Sequence, residues 1–180
     1  MTAPTPNPVP PDLVVAPDGT ARWRGRTLRC ALGRGGIRAD KREGDGATPA
    51  GRWRLVRVLW RADRVMAPET ALPAARIGRD DGWCDDPASV DYNRAVRLPH
   101  GASCERMWRD DGLYDVVVVT DHNAGSDGVP PVPGAGSAIF VHVARPDWGP
   151  TEGCVALLEA DLRKILSEWT EADRLVVTAA

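Results

Sequence analysis

The chain lacks long apolar runs and any strong excess of charge of one sign. No apolar stretch in its 180 residues approaches the ~18 residues of a transmembrane helix, so no membrane span is expected. The formal net charge is −2 at pH 7, and only two of the basic residues are lysines. Such a balance gives no reason to expect a nucleic-acid partner. The length fits one domain with a substantial buried core.

Cysteine is scarce and is not spaced as in a metal site. The chain has no C-x-x-C pair, and His100 with Cys104 makes only half of a ligand set. The sequence therefore predicts no metal site. Cys84 and Cys104 would either form a disulfide in an exported protein or remain two thiols. The four cysteines are Cys30, Cys84, Cys104 and Cys154.

The first residues are rich in proline and have neither the basic nor the apolar region of a signal peptide. We expect residues 1–11 to form a flexible arm and residues 12–180 to form a single domain.

Apolar patterning predicts a mostly β fold with one late helix. Residues 159–169 place Leu162, Ile165 and Leu166 at helical spacing. Residues 62–113 show weak periodicity and many turn signals, which indicates a loop-rich insertion. Alternating or continuous apolar runs predict strands over residues 27–32, 52–61, 114–120, 137–144, 154–157 and 174–178.

The segment over residues 137–157 carries the most chemistry. His142 stands near the end of an apolar run, and Cys154 follows twelve positions later in a Thr-Glu-Gly-Cys turn. A strand that delivers histidine beside a cysteine is the minimum apparatus for a thiolate nucleophile with an imidazole base. Gly153 lets the backbone approach a ligand closely, so N–H groups around Cys154 can face a developing oxyanion.

These residues resemble a known enzyme family. A histidine followed by Ser/Thr-x-Gly-Cys is similar to the signature of the L,D-transpeptidases, the YkuD domain of peptidoglycan enzymes. Residues 43–53, Glu-Gly-Asp-Gly-Ala-Thr-Pro-Ala-Gly-Arg-Trp, resemble a second block that lies upstream in that family. The resemblance implies a YkuD-like β-sandwich or barrel. It also implies that the backbone carbonyl of Val143 orients His142.

The implied activity is acyl transfer on peptidoglycan stem peptides without a cofactor. Cys154 would form an acyl-enzyme, and an acceptor amine of diaminopimelate or L-alanine would resolve it. Water as acceptor would give a carboxypeptidase or endopeptidase, and a catalytically weak wall-binding module is the alternative of another class. Carbapenem inhibition is expected, while the oligomeric state is left open.

Peptidoglycan cross-links are made outside the cytoplasm, so the resemblance implies the periplasm or cell envelope. A signal peptide is not visible in this chain. Three explanations stay open: a start further upstream, another export route, or action in the cytoplasm.

Glu152 is a departure from the family, which usually has a second histidine at that position. An ionised Glu152 near Cys154 would raise the pKa of the thiol. It would otherwise order the loop or bind a substrate amine. The residues predicted to contact substrate are Glu152, Thr151, Arg145, Trp148, His122 and Asn123.

Overall fold

The computed structural model describes residues 12–126 and 128–179, so the predicted arm over residues 1–11 lies outside the described residues. Within them the chain forms fifteen strands and one helix, α1 (Glu159–Glu168). The strands of the first half are β1 (Leu13–Val15), β2 (Thr20–Trp23), β3 (Arg26–Ala31), β4 (Ile37–Arg38), β5 (Thr48–Pro49), β6 (Gly51–Trp53), β7 (Leu55–Trp60), β8 (Ala74–Arg76) and β9 (Asp81–Cys84). Those of the second half are β10 (Ala95–Arg97), β11 (Cys104–Arg106), β12 (Val116–Thr120), β13 (Phe140–Val143), β14 (Val155–Leu157) and β15 (Leu175–Val177).

A ten-stranded sheet dominates the described part of the chain. Its strand order is β6-β15-β1-β2-β3-β14-β13-β12-β7-β8. Strand β6 lies at one edge and β7 lies next to the other edge, yet only Arg54 separates them in sequence. Consecutive Cα atoms are about 3.8 Å apart, so the sheet has to curl until its ends approach each other. The prediction of a mostly β, YkuD-like fold is confirmed.

The central strands are buried on both faces. In β12, Val116 and Val118 belong to one apolar cluster, while Val117 and Val119 belong to a second. Side chains alternate between the faces of a strand, so an uninterrupted run of valines is what a strand between two cores requires. The first core lies against α1, and the second lies against the insertion over residues 62–113.

Helix α1 covers the first core. Leu162, Ile165 and Leu166 are fully buried at i, i+3 and i+4 spacing, as predicted. The exposed side carries two i,i+4 ion pairs, Glu159 with Arg163 and Lys164 with Glu168. Most of the stability of such a short helix comes from its packed face rather than from its own hydrogen bonds.

The insertion folds into a small second sheet with the order β10-β9-β11. It meets the second core through Trp83, whose ring lies edge-on to Phe140 with centroids 5.0 Å apart. The Trp83 Nε1–H donates to Asn93 Oδ1 at 2.9 Å, so the buried indole has a partner. The small sheet therefore stands opposite the face of β13 that carries Phe140.

Two details of the chain trace differ from the sequence prediction. The strand predicted over residues 52–61 is divided at Arg54, because β6 and β7 pair at opposite ends of the sheet. The hairpin of β1 and β2 was missed, although Pro17-Asp18-Gly19 between them is a turn signal. In the described residues no helix has the length and apolarity needed to cross a membrane.

We expect Ile165→Ala to lower the free energy of unfolding by roughly 2–5 kcal/mol, because it empties part of a fully buried site. Urea denaturation measures the change. Lys164→Ala, on the exposed side of the same helix, is the control and should cost under about 0.5 kcal/mol, since it removes one surface ion pair. Equal losses for the two variants would contradict the assignment of the buried face.

Candidate functional site

Cys154 and His142 line one cavity of about 360 Å³ between the main sheet and the insertion. Strands β13 and β14 run parallel, with Val141 beside Val155 and His142 beside Ala156. Cys154 directly precedes β14 and so lies beside Phe140, two residues before His142 on the neighbouring strand. The two side chains are therefore diagonal neighbours on the face of the sheet that looks toward the insertion.

The thiol of Cys154 is buried and neutral. Its Sγ donates to Ala138 O at 3.2 Å and accepts from the Phe140 N–H at 3.3 Å. Burial raises the pKa of the Cys154 thiol to about 12, and the Glu105 carboxylate acts in the same direction. At neutral pH the proton therefore stays on the sulfur.

The imidazole of His142 is fixed by its own backbone. The Nδ1–H donates to the Val143 carbonyl at 2.9 Å, which leaves the Nε2 lone pair free to accept a proton. Burial lowers the pKa of His142 to about 4, so the ring is neutral at neutral pH. The Tyr114 ring packs against it at 5.4 Å between centroids. The ring therefore rests neutral in a fixed orientation, with its Nε2 atom unprotonated.

The turn before Cys154 is held by Thr151. The Thr151 Oγ1 accepts from the Gly153 N–H at 3.1 Å and donates to the Cys154 carbonyl at 2.6 Å. Gly153 has φ +135°, and a Cβ there would come within 2.8 Å of Ala47 O. Ala47 belongs to the upstream block over residues 43–53, so the two blocks of the sequence meet at this turn.

Glu152 points to the surface. Its two carboxylate oxygens accept from Arg34 Nε at 3.0 and 2.8 Å, and its side chain is 77% exposed. A carboxylate in that position is screened by water and by its partner. Glu152 lies at the rim of the cavity and joins the turn before Cys154 to the loop after β3. Of the three roles considered for Glu152, this ion pair favours the one in which it orders the loop.

Glu105 is a carboxylate on the cavity wall that acts on the Cys154 thiol, and sequence reasoning missed it. It accepts from the Tyr114 O–H at 2.5 Å and from Arg109 Nη1 at 3.4 Å. Burial raises the pKa of Glu105. No local pattern marks this residue, because strand β11 lies in the weakly patterned insertion and reaches the cavity through tertiary packing.

The other predicted contact residues divide into two groups. Arg145 lines the cavity. Trp148 packs instead against the Arg29 guanidinium, 4.4 Å from the ring centroid. His122 Nε2 contacts Ala135 O at 3.0 Å, and Asn123 Nδ2 donates to the carbonyls of Val132 and Gly136. The structure thus places His122 and Asn123 where they hold the loop before β13, and does not bring them to Cys154.

A second group of reactive side chains lies behind the cavity wall. Cys84 and Cys104 are directly opposite each other on β9 and β11, and both are free thiols. His100 joins them, so that one donor atom from each residue lies within 4.8 Å of the other two. Sequence spacing predicted no metal site, and this cluster is visible only once the strands are paired.

We expect Gly153→Ala to lower the free energy of unfolding by about 1–3 kcal/mol, since alanine at φ +135° is strained and its Cβ would press on Ala47 O. Thermal and urea denaturation measure the loss. Gly101→Ala is the matched control because a Cβ there meets nothing within 4 Å. A stable Gly153→Ala protein would show that the turn does not need glycine.

We expect Glu105→Gln to speed alkylation of Cys154, whereas Glu152→Gln leaves it unchanged. A nearby negative charge raises a thiol pKa, and each unit by which the pKa falls gives about tenfold more thiolate at a fixed pH below it. Glutamine keeps the acceptor for Tyr114. The measurement is a pH profile of iodoacetamide labelling, read at Cys154 by peptide mass because Cys104 is only half-buried.

The difference in Cys154 labelling rate between Glu105→Gln and the parent chain should grow as pH rises and Glu105 ionises. It should vanish at low pH, where Glu105 is already protonated. Faster labelling in Glu152→Gln instead would mean that the rim carboxylate acts on the thiol.

Comparison with known proteins agrees with this geometry. The model of the YkuD family, described as the L,D-transpeptidase catalytic domain, matches residues 11–177, nearly the whole chain. No curated protein and no solved structure matched the chain at a significant level. With a family match over the whole described sheet, and with His142 and Cys154 lining one cavity on its central strands, the chain belongs to the YkuD family of L,D-transpeptidase catalytic domains.

Proposed function

We propose that the chain is a cysteine-dependent L,D-transpeptidase that acts on peptidoglycan stem peptides. The observation that carries the proposal is that Cys154 and His142 line the same cavity, with Nδ1 of the histidine bound to the Val143 carbonyl. The same carbonyl is the orienting group that the family resemblance implies. It fixes the tautomer as the aspartate of a Ser-His-Asp triad does.

The chemistry begins from a neutral pair. The pKa of Cys154 is raised to about 12 and that of His142 is lowered to about 4, so a resting thiolate–imidazolium pair is disfavoured. The thiol turns from Ala138 O toward His142 Nε2, and the proton moves to Nε2 as sulfur bonds to the substrate carbonyl carbon. The imidazolium then protonates the leaving amine as the C–N bond breaks, which leaves a thioester.

The oxyanion of the tetrahedral intermediate needs backbone donors at this turn. The Gly153 N–H is used inside the turn by Thr151 Oγ1. We therefore assign the main donor to the Cys154 N–H, with Gly153 contributing the conformation that aims it.

The cavity presents charges of both signs. Glu43, Asp85 and Glu105 line it together with Arg109 and Arg145. Of the described residues that line the cavity, Asp85 and Ser137 have a buried side-chain oxygen without a hydrogen-bond partner, Oδ1 and Oγ respectively. A diaminopimelate residue carries both an ammonium and a carboxylate, so these acceptors and Arg145 supply its complement.

An amine acceptor agrees with these acceptor atoms, and we place diaminopimelate ahead of L-alanine and water because it also carries a carboxylate that Arg145 could bind. Since the substrate lies outside the cytoplasm, we place the protein in the cell envelope. The alternative of a wall-binding module was suggested by Glu152 beside the cysteine, and the pairing of Glu152 with Arg34 at the surface supports the enzyme instead.

The test is covalent capture of Cys154. A carbapenem should add one adduct to the intact chain, and the adduct should be lost in Cys154→Ala but kept in Cys30→Ala, which removes another buried thiol. Turnover of a disaccharide-tetrapeptide should disappear in Cys154→Ala. In His142→Ala, acylation should slow by roughly 10²–10⁴, the usual worth of a positioned base.

Turnover by pure Cys154→Ala would refute the mechanism. Acylation of His142→Ala at the parental rate would assign the base to another group. An added amine acceptor separates transfer from hydrolysis. Transfer yields a cross-linked dimer, whereas hydrolysis of the acyl-enzyme yields the tripeptide.

A further inference from the structure

Two thiols and an imidazole come together on the small sheet of the insertion. Cys84 ends β9, Cys104 begins β11, and the two residues are directly opposite in an antiparallel pair. With His100, their donor atoms lie within 4.8 Å of one another. We propose that Cys84, His100 and Cys104 bind a zinc ion that braces the wall of the cavity.

The topology explains why these residues meet. Strands β10 and β11 are both antiparallel to β9 and lie on its two sides, so they run parallel to each other. Parallel strands need a crossover connection. Residues 98–103 make this crossover along β9, and His100 lies in it, which brings its ring to the end of β9 where Cys84 and Cys104 are paired.

The donor set suits zinc. Thiolate and imidazole are the ligands that Zn²⁺ prefers, with Zn–S near 2.3 Å in a tetrahedron, so two bound sulfurs stand about 3.8 Å apart. Donor atoms already within 4.8 Å need to close by about 1 Å or less, which side-chain rotation alone can supply. Three protein ligands leave the fourth position to water.

His100 already has the outer contact typical of a metal ligand. Its Nε2 lies 3.2 Å from Asp91 Oδ2, and its Nδ1 accepts from the Ala102 N–H at 3.2 Å. A carboxylate on one ring nitrogen fixes the tautomer, as it does behind zinc-bound histidines, and zinc at Nδ1 would take the lone pair that now accepts from the Ala102 N–H. Cys104 Sγ contacts Ala102 O at 3.4 Å, so Nδ1 and the thiol approach the same residue.

The surroundings favour a cation. Asp85 and Asp86 directly follow Cys84, so carboxylates lie close to the two sulfurs. If both thiols ionise they repel each other and the carboxylates, and a divalent ion offsets that repulsion.

The site would act on the cavity through strand alternation. Glu105 follows Cys104 and Asp85 follows Cys84, and both of these neighbours line the cavity. Trp83, which precedes Cys84, packs on Phe140 in the second core. An ion on one side of β9 and β11 therefore fixes the residues on the other side, in a small sheet that has little core of its own.

The first experiment measures metal content of the full chain purified without a metal-affinity tag. We expect inductively coupled plasma mass spectrometry to find a single zinc ion per chain. The Tm should be higher with zinc bound than after chelation. Replacement by Co²⁺ should give the thiolate charge-transfer and tetrahedral absorption bands of a sulfur-ligated site.

Variants locate the ion. Cys104→Ser and His100→Gln should lose the zinc, its effect on Tm and the cobalt bands. Asp91→Asn should weaken zinc affinity by roughly 10–100-fold, the usual effect of removing an outer carboxylate. Cys30→Ala and Cys154→Ala are the thiol controls and should keep the metal.

Three outcomes would overturn the proposal. One is a zinc content that is the same in the parent chain and in Cys104→Ser. Another is loss of zinc in Cys154→Ala, which would place the ion in the cavity. The third is an intact mass lower by two hydrogens that reductant restores and Cys104→Ser abolishes, which would show that Cys84 and Cys104 form a disulfide.

Discussion

The parallel pairing of β13 with β14 is the constraint on which the site depends. Two adjacent parallel strands cannot be joined by a tight turn, because the chain must travel back along the sheet before it enters the second strand. Residues 144–154 make that return. Arg145 and the Thr-Glu-Gly-Cys turn lie on it, so the connection that makes the strands parallel is also one wall of the cavity.

Burial of the sheet on both faces sets the electrostatics of this region. A polar group in such a place needs an internal partner, since water cannot serve it. The backbone supplies most of these partners: Val143 for His142, and Ala138 and Phe140 for Cys154. The result is a pair of uncharged reactive groups held in fixed orientations, with the charged side chains arranged around them.

Sequence reasoning succeeded where the determining contacts are local or periodic. The amphipathic helix, the valine strand β12 and the strand of His142 were predicted because each shows its own apolar pattern. Reasoning failed where pairing between distant segments decides the outcome. Glu152 finds Arg34 at a separation of 118 residues, and no local signal reveals that partner. Cys84 and Cys104 face each other only because β11 pairs with β9 in one register.

The buried, protonated state of Cys154 also bears on how this thiol reacts with oxidants. Peroxides attack the thiolate, and a cysteine oxidised beyond the sulfenic state is lost for good. Burial raises the pKa of the Cys154 thiol to about 12, so the thiolate is a very small part of the population at neutral pH. The resting thiol therefore reacts slowly with peroxides, because burial keeps it protonated.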